Sequence, residues 1–162
     1  MVKYFTTYQY PCMNYNKINP SLWFIADSGH LSKVIEYYKN IFGSDLEEGS
    51  IMPIGQTPSG YAEISEMKIF GQKYILMSTE KEHHSFNDAI SFTVNCEDQK
   101  EIDKFWDYFT REGKESQCGW CIDKYGLRWQ VLPKNIGELM SKPNSGKVMM
   151  SQKKIVIAEY LK

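Results

Sequence analysis

One arrangement of elements occurs twice along the chain, and it constrains the fold more than any single motif does. Residues 18–26, "INPSLWFIA", read as a strand with Leu22 and Phe24 on one face and Ser21, Trp23 and Ile25 on the other. A helix is predicted next, because Leu31, Val34, Ile35, Tyr38, Ile41 and Phe42 fall at helical spacing. Ser28 is placed to cap its start and Gly43 to close it. "DLEEGSIMPIG", "GYAEISEMKIF" and "QKYILMS" follow as three extended segments between Gly- and Pro-containing turns. The order then restarts. "DAISFTVNC" alternates, with Ile90, Phe92 and Val94 opposite Ala89, Ser91, Thr93 and Asn95. Asp98 and Glu101 form a D-x-x-E capping box, Ile102, Phe105, Trp106 and Phe109 make an apolar stripe, and Gly113 ends the helix. Short strands around 115–123 and 127–132 complete the second unit. The two expected helix starts, Ser28 and Asp98, lie 70 positions apart.

The expected fold is therefore α+β: one domain over residues 18–140 built from two βαβββ modules, 18–80 and 85–133. An N-terminal arm, 1–17, precedes it, and a polar linker and amphipathic tail, 141–162, follow. The tail has two readings, packing on its own chain or forming a dimer contact.

With 19 basic and 20 acidic residues the net charge is −1, so no broad field favours nucleic acid or an anionic membrane. Apolar runs are far shorter than the ~20 residues of a membrane span. No signal peptide is visible at the N-terminus, and the four cysteines point to a reducing, cytoplasmic setting.

Cys118 and Cys121 make a C-x-x-C, which elsewhere marks a redox dithiol or half of a zinc site. Redox versions open a helix, whereas "IDKYGLRWQVLP" after this one reads as strand, turn, strand. On a strand, residues three apart point to opposite faces about 10 Å apart, too far for a disulfide. No second pair of ligands completes a zinc site. The expectation is two separate buried thiols, with a redox or zinc module as the third-ranked function. Asp123 and Lys124, just beyond, read as solvated turn charges.

"NPSLWF" with "EYYKNIFG", then "AISFTVNCEDQKEIDKFWDYFTREG" and "QCGWCIDKYGLRWQVLP", resemble the PhnB-like branch of the vicinal oxygen chelate superfamily, which includes glyoxalases, bleomycin-resistance proteins and extradiol dioxygenases. The resemblance covers roughly residues 18–140. It implies paired modules whose curled mixed sheet surrounds a cavity, within a homodimer. Members are often labelled ubiquinone-pathway methyltransferases, but this chain lacks the Gly-rich strand-to-helix turn that a nucleotide-type methyl donor needs.

Metal-using members hold a divalent ion with four His or Glu side chains. Carried over, those positions fall at or beside Ser21, Met77, Ala89 and Gln130, none a good ligand for a transition metal. No metal and no cofactor is therefore expected. His30 reads as a surface residue of the first helical turn, and His83 and His84 as part of a polar loop. Neighbours two residues along each strand share the inward face, which adds Trp23, Ser91, Thr93, Arg128 and Leu132 to the lining, while Trp129, Val131 and Trp106 go to the core. Trp120 reads as wall or interface. The candidate ligand-binding set is Ser21, Trp23, Met77, Ser91, Thr93, Trp120, Arg128 and Gln130. The expected function is binding of a small organic molecule in a metal-free cavity; the alternative is a metal-dependent lyase or dioxygenase using other ligands.

Overall fold

The computed structural model describes residues 17–81 and 85–162. The first module runs β1 (Ser21–Ile25), a 3-10 turn (Asp27–Gly29), α1 (Ser32–Phe42), β2 (Leu46–Glu48), β3 (Met52–Thr57), β4 (Gly60–Ile69) and β5 (Gln72–Thr79). Its sheet has the order β1-β5-β4-β2, with β3 also paired to β4. The second runs β6 (Phe92–Cys96), α2 (Gln99–Arg111), β7 (Lys114–Glu115), β8 (Trp120–Ile122) and β9 (Arg128–Pro133), in the order β6-β9-β8-β7. In both, the first strand pairs in parallel with the last, β1 with β5 and β6 with β9. The duplicated βαβββ arrangement expected from sequence is thus the fold, in two mixed sheets. The segment read as one strand before β4 is split in two at Gly49–Ile51.

Alternation decides which face is covered. Leu22 and Phe24 are buried while Trp23 and Ile25 stay partly exposed, and on β9 Trp129 and Val131 are buried between half-buried Arg128, Gln130 and Leu132. The buried faces and both helices meet in one core. Phe42 of α1 lies 5.6 Å from Phe105 and 5.9 Å from Trp129 between ring centroids, and Phe109 stacks on Trp129 at 4.5 Å and 11°. Trp106, 2 % exposed, belongs to this core as expected.

The helix starts differ in their chemistry. At α2, Asp98 Oδ1 accepts from the Glu101 amide (2.9 Å), while Glu101 Oε2 accepts from the Glu97 amide (2.7 Å), one residue earlier than a capping box requires. At α1 the expected Ser28 cap is replaced. Ser28 has φ 56° inside the 3-10 turn, the helix begins at Ser32, and Glu63 of β4 accepts from the Leu31 amide at 2.8 Å. The other Glu63 oxygen pairs with His30 Nδ1 at 2.8 Å, so His30 is surface-exposed but precedes the helix. Gly29 is needed here: its φ is 72°, and a Cβ would stand 2.1 Å from the Tyr61 carbonyl oxygen.

Two further expectations are corrected. β6 starts at Phe92, so Ala89 lies in an exposed turn, where its amide donates to Asn87 Oδ1, and Ile90 is 56 % exposed. The strong alternation of "DAISFTVNC" overstated the strand because its first residues have no partner in the β6–β9 register. Asp123 is not solvated; it is 2 % exposed. Its Oδ1 accepts from the Tyr125 and Leu127 amides, and its Oδ2 from Tyr38 Oη (2.7 Å) and Trp129 Nε1 (2.8 Å). Four donors converge on one carboxylate, which ties the β8–β9 turn to α1 of the other module. Burial pushes the Asp123 carboxyl above its ordinary range, outweighing the opposite pull of those donors. Lys124 is exposed as expected, with Glu112 as partner at 2.9 Å.

The tail packs on its own chain. After α3 (Ile136–Met140) and α4 (Ser145–Ser151), the Gln152 and Lys153 carbonyls accept from the Cys118 and Gly119 amides at 2.8 and 2.7 Å. Gln99 brackets Ile155, donating to its carbonyl and accepting from the Ile157 amide, both at 2.9 Å. Ile155 is fully buried and Tyr160 is 4 % exposed. Among the described residues, no helix is long and apolar enough to cross a membrane. The arm, 1–17, lies outside the described residues but for Lys17.

Candidate functional site

Each sheet keeps one face clear of the core, and the candidate residues lie on these two faces. On the first sheet, Ser21 and Trp23 of β1 face the same way, and the parallel register sets Trp23 opposite Met77 and Ser21 opposite Ile75. Met77 in turn lies opposite Ile64 of β4. Trp23 Nε1 donates to Thr79 Oγ1 at 3.1 Å, which fixes the indole along the sheet. Lys73 and Glu66 add an ion pair of 3.0 Å, with side chains only 8 % and 20 % exposed. This face is an apolar platform with two neutralised charge pairs, the second being Lys68 with Glu47 at 2.9 Å.

The second face is mixed, with Trp120, Ile122 and Leu132 among polar groups. Thr93 lies opposite Gln130, and Gln130 opposite Trp120, so these three span β6, β9 and β8 in one row. Trp120 is half-buried on this face. Gln130 Nε2 donates to Ser91 Oγ at 2.8 Å, leaving the amide oxygen and the serine O–H for another group. Arg128 donates from Nε to Asp88 Oδ1 at 2.8 Å and from Nη1 to the Gly126 carbonyl. The structure thus gathers Ser21, Trp23 and Met77 on one sheet and Ser91, Thr93, Trp120, Arg128 and Gln130 on the other. No strand pairing joins the two groups. Sequence reasoning missed Thr79, Lys73 and Asp88. The first two share alternation with Met77 and were legible on that ground; Asp88 reaches Arg128 from 40 positions away and carried no local signal.

A cleft of about 810 Å³ opens among Tyr37, Asn40, Tyr108, Arg111, Lys124 and Tyr125, and reaches Ile25 at the end of β1. Its tyrosines pack on one another, Tyr37 lying 5.0 Å from Tyr108 and 5.4 Å from Tyr125. Tyr108 Oη donates to the Tyr37 carbonyl and Lys124 is neutralised by Glu112, so these groups serve the junction of α1 with α2.

The four positions that hold the metal in metal-using relatives do not fit one here. Ser21 and Met77 are poor donors, Ala89 has no donor and sits in the turn before β6, and Gln130 is a neutral amide already bonded to Ser91. Among the described residues, no three of His, Cys, Asp and Glu come together as a metal cluster. His83 and His84 lie outside the described residues.

The cysteine pair is also placed. Cys118 is not a strand residue: it has φ 59° in the turn before β8 and is only half-buried, with Met150 Sδ 3.8 Å from its sulfur. Cys121 is buried on the core face of β8, and burial pushes its thiol up to about 12, as it does for Cys96. That is opposite to the activation a redox thiol needs. Cys96, Cys118 and Cys121 are all free. At pH 8, thiol reagents are expected to modify Cys118 in the native protein and to reach Cys96 and Cys121 only after unfolding. Counting thiols in denaturant without reductant should find all four cysteines. A native disulfide, or modification of Cys121 as fast as Cys118, would contradict this.

Comparison with solved structures supports the architecture. A PhnB protein from Bacillus cereus superposes with a TM-score of 0.61 at 23% identity, covering 73% of this chain and 99% of that one. The Pseudomonas aeruginosa protein PA1353 gives 0.54 at 17% identity, with 74% and 98% covered. The fosfomycin resistance protein FosX from Mesorhizobium loti gives 0.52 at 10% identity, with 80% and 100% covered. Sequence comparison with curated proteins yields no match. The family model described as 3-demethylubiquinone-9 3-methyltransferase matches residues 16–132, which takes in both modules but for the last residue of β9. The chain therefore belongs to that family, the PhnB-like branch of the vicinal oxygen chelate superfamily, with the glyoxalase/bleomycin-resistance fold.

Proposed function

We propose that the protein binds a small organic molecule on the open sheet faces without a metal ion, and that a second copy of the chain completes the site. One observation carries this reading. The four metal positions carry apolar and hydrogen-bonding groups, and Trp23–Met77 and Thr93–Gln130 are paired in register on the faces turned away from the core. An apolar platform and a hydrogen-bonding face are the two components of a ligand site. Both buried faces serve one core, so the open faces point away from it, and a symmetric partner is the simplest way to cover each.

Methyl transfer has little support in these residues. A methyl donor of nucleotide type needs a glycine-rich turn that opens a helix N-terminus toward ribose or phosphate. Here Gly29 packs against the Tyr61 carbonyl, Glu63 occupies the start of α1, and Asp98 and Glu101 occupy the start of α2.

Purified protein is expected to hold well under one equivalent of transition metal per chain by elemental analysis. It should isomerise no hemithioacetal and open no catechol ring, even with metal added. An amphipathic aromatic probe should quench tryptophan fluorescence, and Trp23→Ala or Gln130→Ala should each weaken it roughly tenfold, the equivalent of one good packing or hydrogen-bond contact. Sedimentation at micromolar concentration should give a dimer. Stoichiometric metal bound through His83 or His84 would overturn the reading in favour of a metal-dependent lyase or dioxygenase; unchanged probe affinity in both variants would remove the site.

A further inference from the structure

We propose that the ligand is a small organic anion, that Arg128 is the group that binds its charge, and that Asp88 is a counter-ion displaced when it does. This rests on the reading of the open faces as a ligand site and adds the chemical class of the ligand.

The charge distribution on the second sheet is one-sided. The register places Lys114 of β7 opposite Ile122, and Ile122 opposite Arg128, so two cations stand in one row across the open face. Alternation brings Thr93, Asn95 and Gln130 to the same face, and strands β6 to β9 set no carboxylate beside them. Glu115, the acidic residue of these strands, lies opposite buried Cys121 and so belongs to the other face. The first sheet differs, because its cations already have carboxylate partners, Lys73 with Glu66 and Lys68 with Glu47.

Arg128 is held in readiness. Its side chain is 17 % exposed, so its charge is partly withdrawn from water, and among the described residues its one carboxylate partner is Asp88, which is 78 % exposed. Asp88 comes from the turn before β6, not from the sheet. An exposed carboxylate regains most of its hydration when released, so its displacement costs little. A ligand oxyanion arriving on the face would meet the same guanidinium in a drier setting, where a charge-assisted bond is stronger. The Nη2 group has no protein partner among the described residues, because Nε serves Asp88 and Nη1 the Gly126 carbonyl. Gln130 stands two residues further along β9, roughly 7 Å away. Its bond to Ser91 leaves that hydroxyl hydrogen free to donate, and Thr93 adds a second hydroxyl. One guanidinium and two O–H donors suit a carboxylate or sulfonate. The apolar body of such a molecule would lie against a platform like that of Trp23 and Met77.

The test uses two dyes with the same aromatic body, 8-anilinonaphthalene-1-sulfonate and neutral N-phenyl-1-naphthylamine, titrated against the full chain. The sulfonate should bind about tenfold more tightly, the effect of one charge-assisted contact. Arg128→Gln, close in size, should abolish that preference and leave the neutral dye unaffected, with an unchanged melting curve as the control for folding. Asp88→Asn should tighten the sulfonate several-fold and leave the neutral dye alone, because it removes the competitor. A purely structural Arg128–Asp88 pair would instead make both variants less stable and give neither dye an advantage. Equal affinity for the two dyes in the parent protein, or a sulfonate preference that survives Arg128→Gln, overturns the anion proposal while leaving the ligand site standing. Binding of neither dye overturns both.

Discussion

Asp123→Ala is expected to lower the stability of the folded chain by about 3–5 kcal/mol, because it breaks a buried hydrogen-bond network and orphans its donors. For a chain of this size that corresponds to a melting temperature roughly 10 °C lower. The substitution leaves Trp129 Nε1–H, Tyr38 Oη–H and the amides of Tyr125 and Leu127 facing a void inside the protein. Each orphaned donor costs about 1–3 kcal/mol, and the four share one site, so the losses do not add fully. Asp123→Asn should cost less, about 1–3 kcal/mol, because an amide can accept for only one of the two donor pairs. In one orientation its NH₂ opposes the Trp129 N–H; in the other it opposes the two backbone amides.

The same residue has a pH signature. Its folded pKa is raised above 3.8 by burial, so its own contribution is fully present below pH 3.8 and is lost as pH rises through the folded value. Asp123→Asn should remove that component from the stability profile. Denaturant titrations of the three proteins across acid to neutral pH provide the measurement. An alanine variant within 1 kcal/mol of the parent would show that the carboxylate does not tie the two modules together.

Removal of residues 152–162 is expected to cost more than about 4 kcal/mol, because it combines a large core deletion with lost backbone partners. The tail supplies Ile155 and Tyr160 to the core, and carbonyl acceptors to the amides of Cys118 and Gly119. It also supplies two of the three partners of the Gln99 side chain, the other being Asp103. Two point variants keep the expectation measurable if the shortened chain does not fold. Ile155→Ala should cost about 2–4 kcal/mol for the lost burial and cavity, and Gln99→Ala about 1–2 kcal/mol. Outside this core the tail is held by Lys154, bonded to Asp103 at 3.0 Å. That bond holds the Asp103 carboxyl below its ordinary 3.8. Its contribution is present above pH 3.8 and lost as pH falls through the lower folded value, and it is small because the pair is partly exposed. If neither point variant moves the unfolding midpoint, the tail contributes nothing to the fold.

The sequence alone carried the duplicated order of strand, helix and strands, the buried and open faces of β1 and β9, and the apolar stripes of both helices. These are properties of short segments: a two-residue or 3.6-residue period is present in the chain before any long-range contact forms. The open-face residues of the candidate site were legible for the same reason, once one position on each strand was assigned. Tertiary structure decided what depends on partners distant in sequence. Glu63 caps a helix that begins 31 positions earlier in numbering, and this displaced the local candidate Ser28. The first residues of "DAISFTVNC" alternate as a strand should, yet the ladder with β9 begins only at Phe92. Asp123 has the local surroundings of an exposed turn and is buried because Tyr38, 85 positions away, donates to it. Its neighbour Lys124, in the same turn, remains in water. Periodicity records which side of an element is apolar, but the donor, acceptor or counter-ion opposite a given side chain is set only when the modules pack against each other.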